Sequence, residues 1–206
     1  MKRKSLIAAS VLLAGLSAVV AAESPTPSPE KAAEEKAVNL CSTCHGPRGV
    51  STSPEFPHLA GQREPYLVRQ IRAFRDHARV DKDAQDFMWG VARQLDEATV
   101  DAIARYYAAQ SPAPGRADDA ALAMKGKELF DRGMPDRAIP PCATCHGQNA
   151  EGQGEFPRLA GQHAKYVSKQ IRFIQSESRT TAPAHAVVKN LDPDEVKAVA
   201  AYVQSR

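Results

Sequence analysis

The chain has 206 residues, enough for one large domain or two small ones, and 43% of them are hydrophobic. It carries 27 lysines and arginines against 24 aspartates and glutamates, and three of the basic residues lie in the first 22 positions. Without that segment the two signs balance, which argues against a nucleic-acid-binding protein.

The first 22 residues have the pattern of a secretory signal peptide. Basic residues at positions 2–4 precede a short apolar stretch at 6–20 and small residues at 21–22. This order predicts export and cleavage near Ala22. The apolar stretch is shorter than the about 20 residues that a spanning helix needs. A retained membrane anchor is the alternative.

The rest of the chain contains the same sequence pattern twice. The segment CSTCHGPRGVSTSPEFPHLAGQ resembles CATCHGQNAEGQGEFPRLAGQ. A repeat of about a hundred residues indicates two domains of one fold rather than a solenoid. The sequence ESPTPSPE before the repeats is rich in Pro and Ser and predicts a flexible leader. The predicted division is a signal peptide (1–22), the leader (23–30), an N-terminal domain (31–110), a linker (111–119) and a C-terminal domain (120–206).

Each copy predicts a small set of helices. The first helix covers roughly 31–40 or 120–132, ahead of the cysteines, and an amphipathic helix follows each LAGQ. The last helix begins at a predicted N-cap, Asp96 or Asp192. No alternating strand pattern is present, so we expect an all-α fold of two tandem domains. Helical domains this small bury little surface and often need a staple.

The four cysteines lie in two C-x-x-C-H motifs, one ending at His45 and the other at His146. A thioredoxin-like dithiol would need a βαβ context, and zinc sites would need further ligands in register. The third interpretation, beside a redox dithiol and zinc sites, is covalent haem attachment. The thiols then add to the haem vinyl groups and the histidine becomes the proximal iron ligand. Two matches with no cysteine left over favour two c-type haems, attached through Cys41, Cys44, Cys142 and Cys145.

On the motifs CxxCHG and FPxLAGQ, the chain resembles the dihaem cytochrome c4 family of tandem class I cytochrome c domains. The resemblance covers roughly residues 31–206. It implies a periplasmic electron carrier rather than an enzyme, with two haems close together across a pseudo-twofold interface. The implied partners are a respiratory or dehydrogenase donor and a terminal oxidase or reductase, with loose membrane association possible.

The resemblance also suggests roles around the proximal ligands. The carbonyls of Pro57 and Pro157 could accept the ring N–H of the proximal histidines, or the prolines could only stiffen a loop. We expect His58 and His163 to be surface residues, because neither recurs in the other repeat. His77 lies on a polar helix face and is expected to be solvated.

In this family the distal ligand is a methionine before the last helix, and the first repeat supplies Met88 in FMWGVARQL. The alternative is that Met88 fills the core. Trp89 is expected near the haem edge or the interface. Thioether ligation favours ferrous iron and raises the reduction potential.

The second repeat departs from this pattern. Its aligned stretch PAHAVVKNL has Ala184 in the place of methionine, and His185 follows it. We interpret His185 as the distal ligand of the second iron, which would lower that haem's potential and send electrons towards the N-terminal haem. The alternatives are a five-coordinate or water-bound iron, or another ligand such as Lys189.

Three functions therefore compete. The first is a dihaem electron carrier, and the second is a cytochrome subunit of a periplasmic dehydrogenase, for example one that oxidises sulfur compounds. The third is a haem enzyme that binds a small ligand at an open second iron.

Overall fold

The computed structural model describes residues 27–180 and 185–206, except for the side chains of residues 185 and 186. The predicted signal peptide lies outside these residues. Ten α-helices are present in the described part of the chain: α1 (Pro29–Lys36), α2 (Ser42–His45), α3 (Glu64–Arg75), α4 (Trp89–Ala92), α5 (Glu97–Ala108), α6 (Ala120–Arg132), α7 (Ala143–His146), α8 (Ala164–Gln175), α9 (His185–Val188) and α10 (Pro193–Gln204).

The N-terminal half is built on α1, α3 and α5. Ser28 caps α1, and the helical path continues through a π-helical turn, Ala37–Cys41, into α2. The predicted first helix therefore exists, although its second half is π-helical. Both α1 and α3 pack against α5, whose Val100 and Tyr107 are almost completely buried.

The C-terminal half repeats this plan around α6, α8 and α10. Helix α6 has the predicted bounds, and α10 packs against both α6 and α8. The crossing of α6 and α10 is close, because a Cβ on Gly126 would lie 1.9 Å from the Ala198 carbonyl oxygen. Asp192 forms a complete capping box with Glu195, and Asp96 caps α5, so both predicted N-caps are confirmed.

The all-α prediction is confirmed: over the described ranges the chain forms helices, turns and two isolated β-bridges, but no strand. None of the helices within those ranges is both long and apolar enough to cross a membrane.

The two halves meet through the glutamines of the LAGQ motifs. The Gln62 side chain donates to the Arg158 carbonyl (2.9 Å) and accepts from the Arg158 N–H (2.7 Å). Gln162 makes the same pair of bonds with the backbone of His58, at 3.0 and 2.9 Å. Because equivalent residues exchange equivalent bonds, the interface has local pseudo-twofold symmetry.

Candidate haem sites and the domain interface

The C-x-x-C-H motifs occupy short helical turns. Cys41 ends the π-helical turn and Cys44 lies in α2, while Cys142 immediately precedes α7, which contains Cys145. Because the two cysteines of a pair are three residues apart on a helical turn, their side chains lie on the same side. All four cysteine side chains are partly buried, and none of them forms a disulfide with another cysteine. Before a haem is attached, burial raises the pKa of the Cys41 thiol and raises that of the Cys142 thiol to about 11.

The two predicted proximal histidines make equivalent contacts. The ring Nδ1 of His45 lies 2.9 Å from the Pro57 carbonyl oxygen, and that of His146 lies 2.9 Å from the Pro157 carbonyl oxygen. The predicted contact with the proline carbonyl is therefore confirmed. A carbonyl only accepts, so Nδ1 carries the proton and the Nε2 lone pair is left for a metal. Burial lowers the pKa of both histidines, which keeps the imidazoles neutral.

One cavity extends through both halves of the molecule. Its walls include Cys41, His45, Met88, Cys142 and His146, together with apolar side chains of α3, α5, α8 and α10. Apart from Cys145, the predicted attachment and proximal residues of the two repeats thus face a shared space. Each half lines this space with apolar side chains, cysteine and an imidazole, which are the groups that covalent attachment of an iron porphyrin requires.

The cavity also contains polar atoms that need an acceptor. Among the described residues, no hydrogen-bond partner is present for the buried atoms Arg69 Nε, Arg158 Nε, Arg179 Nε and Gln170 Nε2, and all four residues line the cavity. An unsatisfied buried donor costs about 1–3 kcal/mol. A haem carries two propionate carboxylates, which are strong acceptors, so the donor set fits this cofactor. When bound, haem iron supplies a one-electron ferrous–ferric couple.

On the distal side of the first site, Met88 lines the cavity at the end of a π-helical turn, Ala84–Met88. Trp89 anchors this turn, because its indole N–H donates to the Arg79 carbonyl at 2.9 Å. Trp89 also stacks on His77, at 4.0 Å between ring centroids. His77 is exposed as expected, but it lies in the turn after α3 and not on a helix face.

On the distal side of the second site, helix α9 begins at His185, whose side chain lies outside the described residues, as does Ala184. The assignment of His185 is therefore still a prediction. Val188 and Leu191 line the cavity, and Gln175 holds the carbonyls of both at 2.9 and 2.8 Å. Lys189 is exposed and forms an ion pair with Glu177 at 3.1 Å, which argues against Lys189 as an iron ligand.

The prediction that His58 and His163 are surface residues is wrong. Their rings contact each other across the interface, with 4.1 Å between centroids and a tilt of 33°, and both are only partly exposed. The Ser51 N–H donates to His58 Nδ1 (3.0 Å), while His163 Nε2 donates to the Ser51 carbonyl (3.1 Å). Burial, reinforced by the neighbouring His163, lowers the pKa of His58 to about 4. The two residues occupy different positions in the repeats, so comparing the repeats position by position conceals their contact.

A buried polar cluster that the sequence reasoning missed completes the interface. Arg79 and Arg179 each donate to both Gln70 and Gln170, at 2.7–3.0 Å, and Arg179 also donates to the Tyr66 hydroxyl at 2.9 Å. The arginines are only 3% and 6% exposed. The repeated QIR segments and the aligned arginines were the available signal, since polar residues kept in both copies of a repeat can serve the interface between them.

Comparison with known proteins identifies the family. The cytochrome c family model matches residues 31–109 and again 123–206. Cytochrome c-552 of Acidithiobacillus ferridurans is 36% identical over 97% of this chain and 86% of its own. Cytochrome c4 of Thiocapsa roseopersicina is also 36% identical, over 89% of this chain and 95% of its own. The thiosulfate dehydrogenase electron acceptor of Thiomonas intermedia is 36% identical over 81% and 78%.

Solved structures show the same relationship. The structure of Acidithiobacillus ferrooxidans cytochrome c4 superimposes with a TM-score of 0.77 at 38% identity, covering 81% of this chain and 98% of that one. Reduced cytochrome c4 from Pseudomonas stutzeri gives 0.76 at 33% identity, covering 85% and 97%.

Membership in this family means two covalently bound c-type haems and a role in electron transfer. The two C-x-x-C-H motifs are consistent with that number of haems. The chain therefore belongs to the cytochrome c family, as a dihaem member of the cytochrome c4 group.

Proposed function

We propose that the chain is a periplasmic carrier that passes electrons from a respiratory or dehydrogenase donor to a terminal oxidase or reductase. The proposal includes cleavage near Ala22 and domains at 31–110 and 120–206. Cys41, Cys44, Cys142 and Cys145 attach the haems. His45 and His146 are the proximal ligands, and Met88 and His185 are the distal ligands.

The observation that carries the proposal is the common cavity with equivalent histidines at both ends. Each histidine is fixed by a proline carbonyl at 2.9 Å, and both open onto the same space. Fixed ligands reduce the rearrangement that accompanies a change of redox state. A cavity that crosses the interface brings two redox groups near each other, which suits transfer between them.

The two distal ligands make the sites unequal. The thioether of Met88 favours the reduced iron, whereas an imidazole from His185 favours the oxidised iron. The C-terminal haem would then have the lower potential. Electrons would enter at the C-terminal half and leave from the N-terminal half.

The thiosulfate dehydrogenase electron acceptor among the relatives favours one particular donor class. A second candidate function is therefore the acceptor or subunit of a periplasmic dehydrogenase acting on sulfur compounds. Reduction of the purified protein by thiosulfate plus such a dehydrogenase, but not by thiosulfate alone, supports this candidate. A small-ligand enzyme is the third candidate, and carbon monoxide binding to the untreated reduced protein would favour it.

The ligand assignment is tested by low-temperature EPR and potentiometric titration of the wild type, Met88→Ala and His185→Ala. We expect Met88→Ala to convert the N-terminal haem, and His185→Ala the C-terminal haem, from low-spin to a high-spin species that binds carbon monoxide. Met124→Ala is the matched control, because that methionine is 70% exposed. Unchanged spectra in His185→Ala would refute the bis-histidine site, and unchanged spectra in Met88→Ala would refute the methionine site.

A further inference from the structure

A single buried carboxylate connects the Met88 turn to the domain interface. Asp81 is completely buried, and its Oδ2 pairs with Arg79 Nε at 2.9 Å. Its other oxygen, Oδ1, accepts the Ala84 N–H at 3.1 Å. Ala84 is the first residue of the π-helical turn that ends at Met88, so Asp81 holds the start of that turn.

The same arginine holds the far side of the turn. The Arg79 carbonyl accepts the Trp89 indole N–H at 2.9 Å, and Trp89 is the residue after Met88. The Arg79 guanidinium is in turn fixed by Gln70 of its own half and Gln170 of the other half, both at 3.0 Å. Met88 is therefore bracketed by two contacts that converge on Arg79.

The C-terminal half uses a different arrangement. Arg179 occupies the place of Arg79, but among the described residues its buried Nε has no hydrogen-bond partner and none of the ion pairs includes Arg179. The position that aligns with Asp81 is a threonine, residue 181, which lies outside the described residues. In the described part of the cluster there are thus two guanidinium groups and one carboxylate, and the carboxylate belongs to the N-terminal half.

The electrostatic consequence follows from burial. A charge removed from water acts over longer distances and with greater energy than an exposed one. Arg79 lines the cavity and, alone, would favour the ferrous state of a nearby haem, because a positive charge opposes an additional positive charge on the iron. Asp81 neutralises that guanidinium.

We propose that Asp81 is a positioning and potential-setting residue for the N-terminal redox centre. It fixes the turn that presents Met88, and it cancels the buried charge of Arg79 and so keeps the reduction potential of that haem from rising. This inference rests on the proposed function, in which Met88 ligates the first iron.

Redox titration of the purified dihaem protein, followed separately for each haem, tests the proposal. Asp81→Asn keeps an acceptor for Ala84 but removes the charge, and we expect the potential of the methionine-ligated haem to rise. Asp86→Asn is the matched control, since Asp86 lies in the same turn, is 41% exposed and pairs with Lys82 at 2.6 Å. Solvent screens this exposed pair, so the rise should be smaller.

Two further variants keep the test decisive if Asp81→Asn binds haem poorly. Arg79→Gln should lower the potential, because it leaves Asp81 uncompensated, and the double variant Arg79→Gln/Asp81→Asn should return towards the wild-type value. Asp81→Ala, which also removes the acceptor for Ala84, should lose the absorption band of methionine bound to ferric iron at a lower temperature than Asp86→Asn does. A purely structural residue would lower stability without moving the potential in these opposite directions.

The inference is overturned if Asp81→Asn shifts the potential no more than Asp86→Asn, or if the double variant does not reverse the shift of Arg79→Gln. Failure of the proposed function has a different signature. In that case the wild-type ferric protein lacks the methionine–iron band, and Met88→Ala leaves its spectrum unchanged.

Discussion

Replacing Gln62 by alanine should weaken the interface between the two halves. The Gln62 amide is 7% exposed, and it makes two hydrogen bonds to the backbone of Arg158 in the other half. It also accepts the N–H of Arg63 at 2.9 Å. Alanine removes all three bonds and leaves the partner groups at a contact that water reaches poorly.

The expected loss can be worked from these bonds. Each of the two interdomain hydrogen bonds contributes about 1 kcal/mol net, and a buried backbone group left unsatisfied costs about 1–3 kcal/mol. Arg158 is partly exposed, so water can replace some of the lost bonding. We therefore expect a loss of about 2–4 kcal/mol in the free energy of unfolding.

Guanidinium unfolding of the dihaem protein, followed by tryptophan fluorescence and by haem absorbance, measures this loss. Gln94→Ala is the matched control, because the Gln94 side chain is exposed and, within the described ranges, bonds only to the Gly90 carbonyl one turn away. A loss in Gln62→Ala no greater than that in Gln94→Ala would refute the account of the LAGQ glutamines. Gln162→Ala should resemble Gln62→Ala, since it loses the equivalent bonds to His58.

Two further predictions concern the interface and the core. Because the folded-state pKa of His58 is about 4 against an ordinary 6.5, its neutral form is favoured by folding; the corresponding stability is present above pH 6.5 and is lost as the pH falls through 4. After a discount for solvent screening, we expect this contribution to the free energy of unfolding to be about 1–2 kcal/mol. The pH dependence of unfolding, compared between wild type and His58→Gln, measures it. Parallel curves for the two proteins would contradict the prediction. Gly126→Ala should lose more than about 3 kcal/mol of stability, because the added Cβ overpacks against Ala198. At Gly90 a Cβ would meet nothing within 4 Å, so Gly90→Ala should change stability by no more than about 1 kcal/mol. Thermal unfolding compares the two variants, and equal losses would refute the close crossing of α6 and α10.

The sequence predicts the features that depend on local chemistry. N-cap residues indicate where helices begin, and Asp96 and Asp192 are correctly predicted as the caps of α5 and α10. The spacing of Cys41, Cys44 and His45 is itself a chemical requirement, and the proline that orients the histidine lies in a recognisable motif. These signals need no knowledge of how distant segments meet.

The features that depend on contact between the two halves could not be predicted from local sequence signals. The rings of His58 and His163 contact each other although the two residues occupy different positions in the repeats. The Arg79–Asp81 pair appears in the sequence as two more charges in a polar loop, yet both residues are buried. Burial of a charge is a property of the assembled interface. From the sequence alone, a charged residue is expected to be exposed to solvent, as most charged side chains are.

The most direct test of the whole account is the mass of the purified protein after denaturation in acid. Thioether bonds survive this treatment, so the account predicts the mass of the mature chain plus two haem groups. The double variant Cys142→Ala/Cys145→Ala should retain one haem, attached in the N-terminal half. A mass equal to that of the bare polypeptide, with the pigment released into solution, would contradict covalent attachment at both motifs.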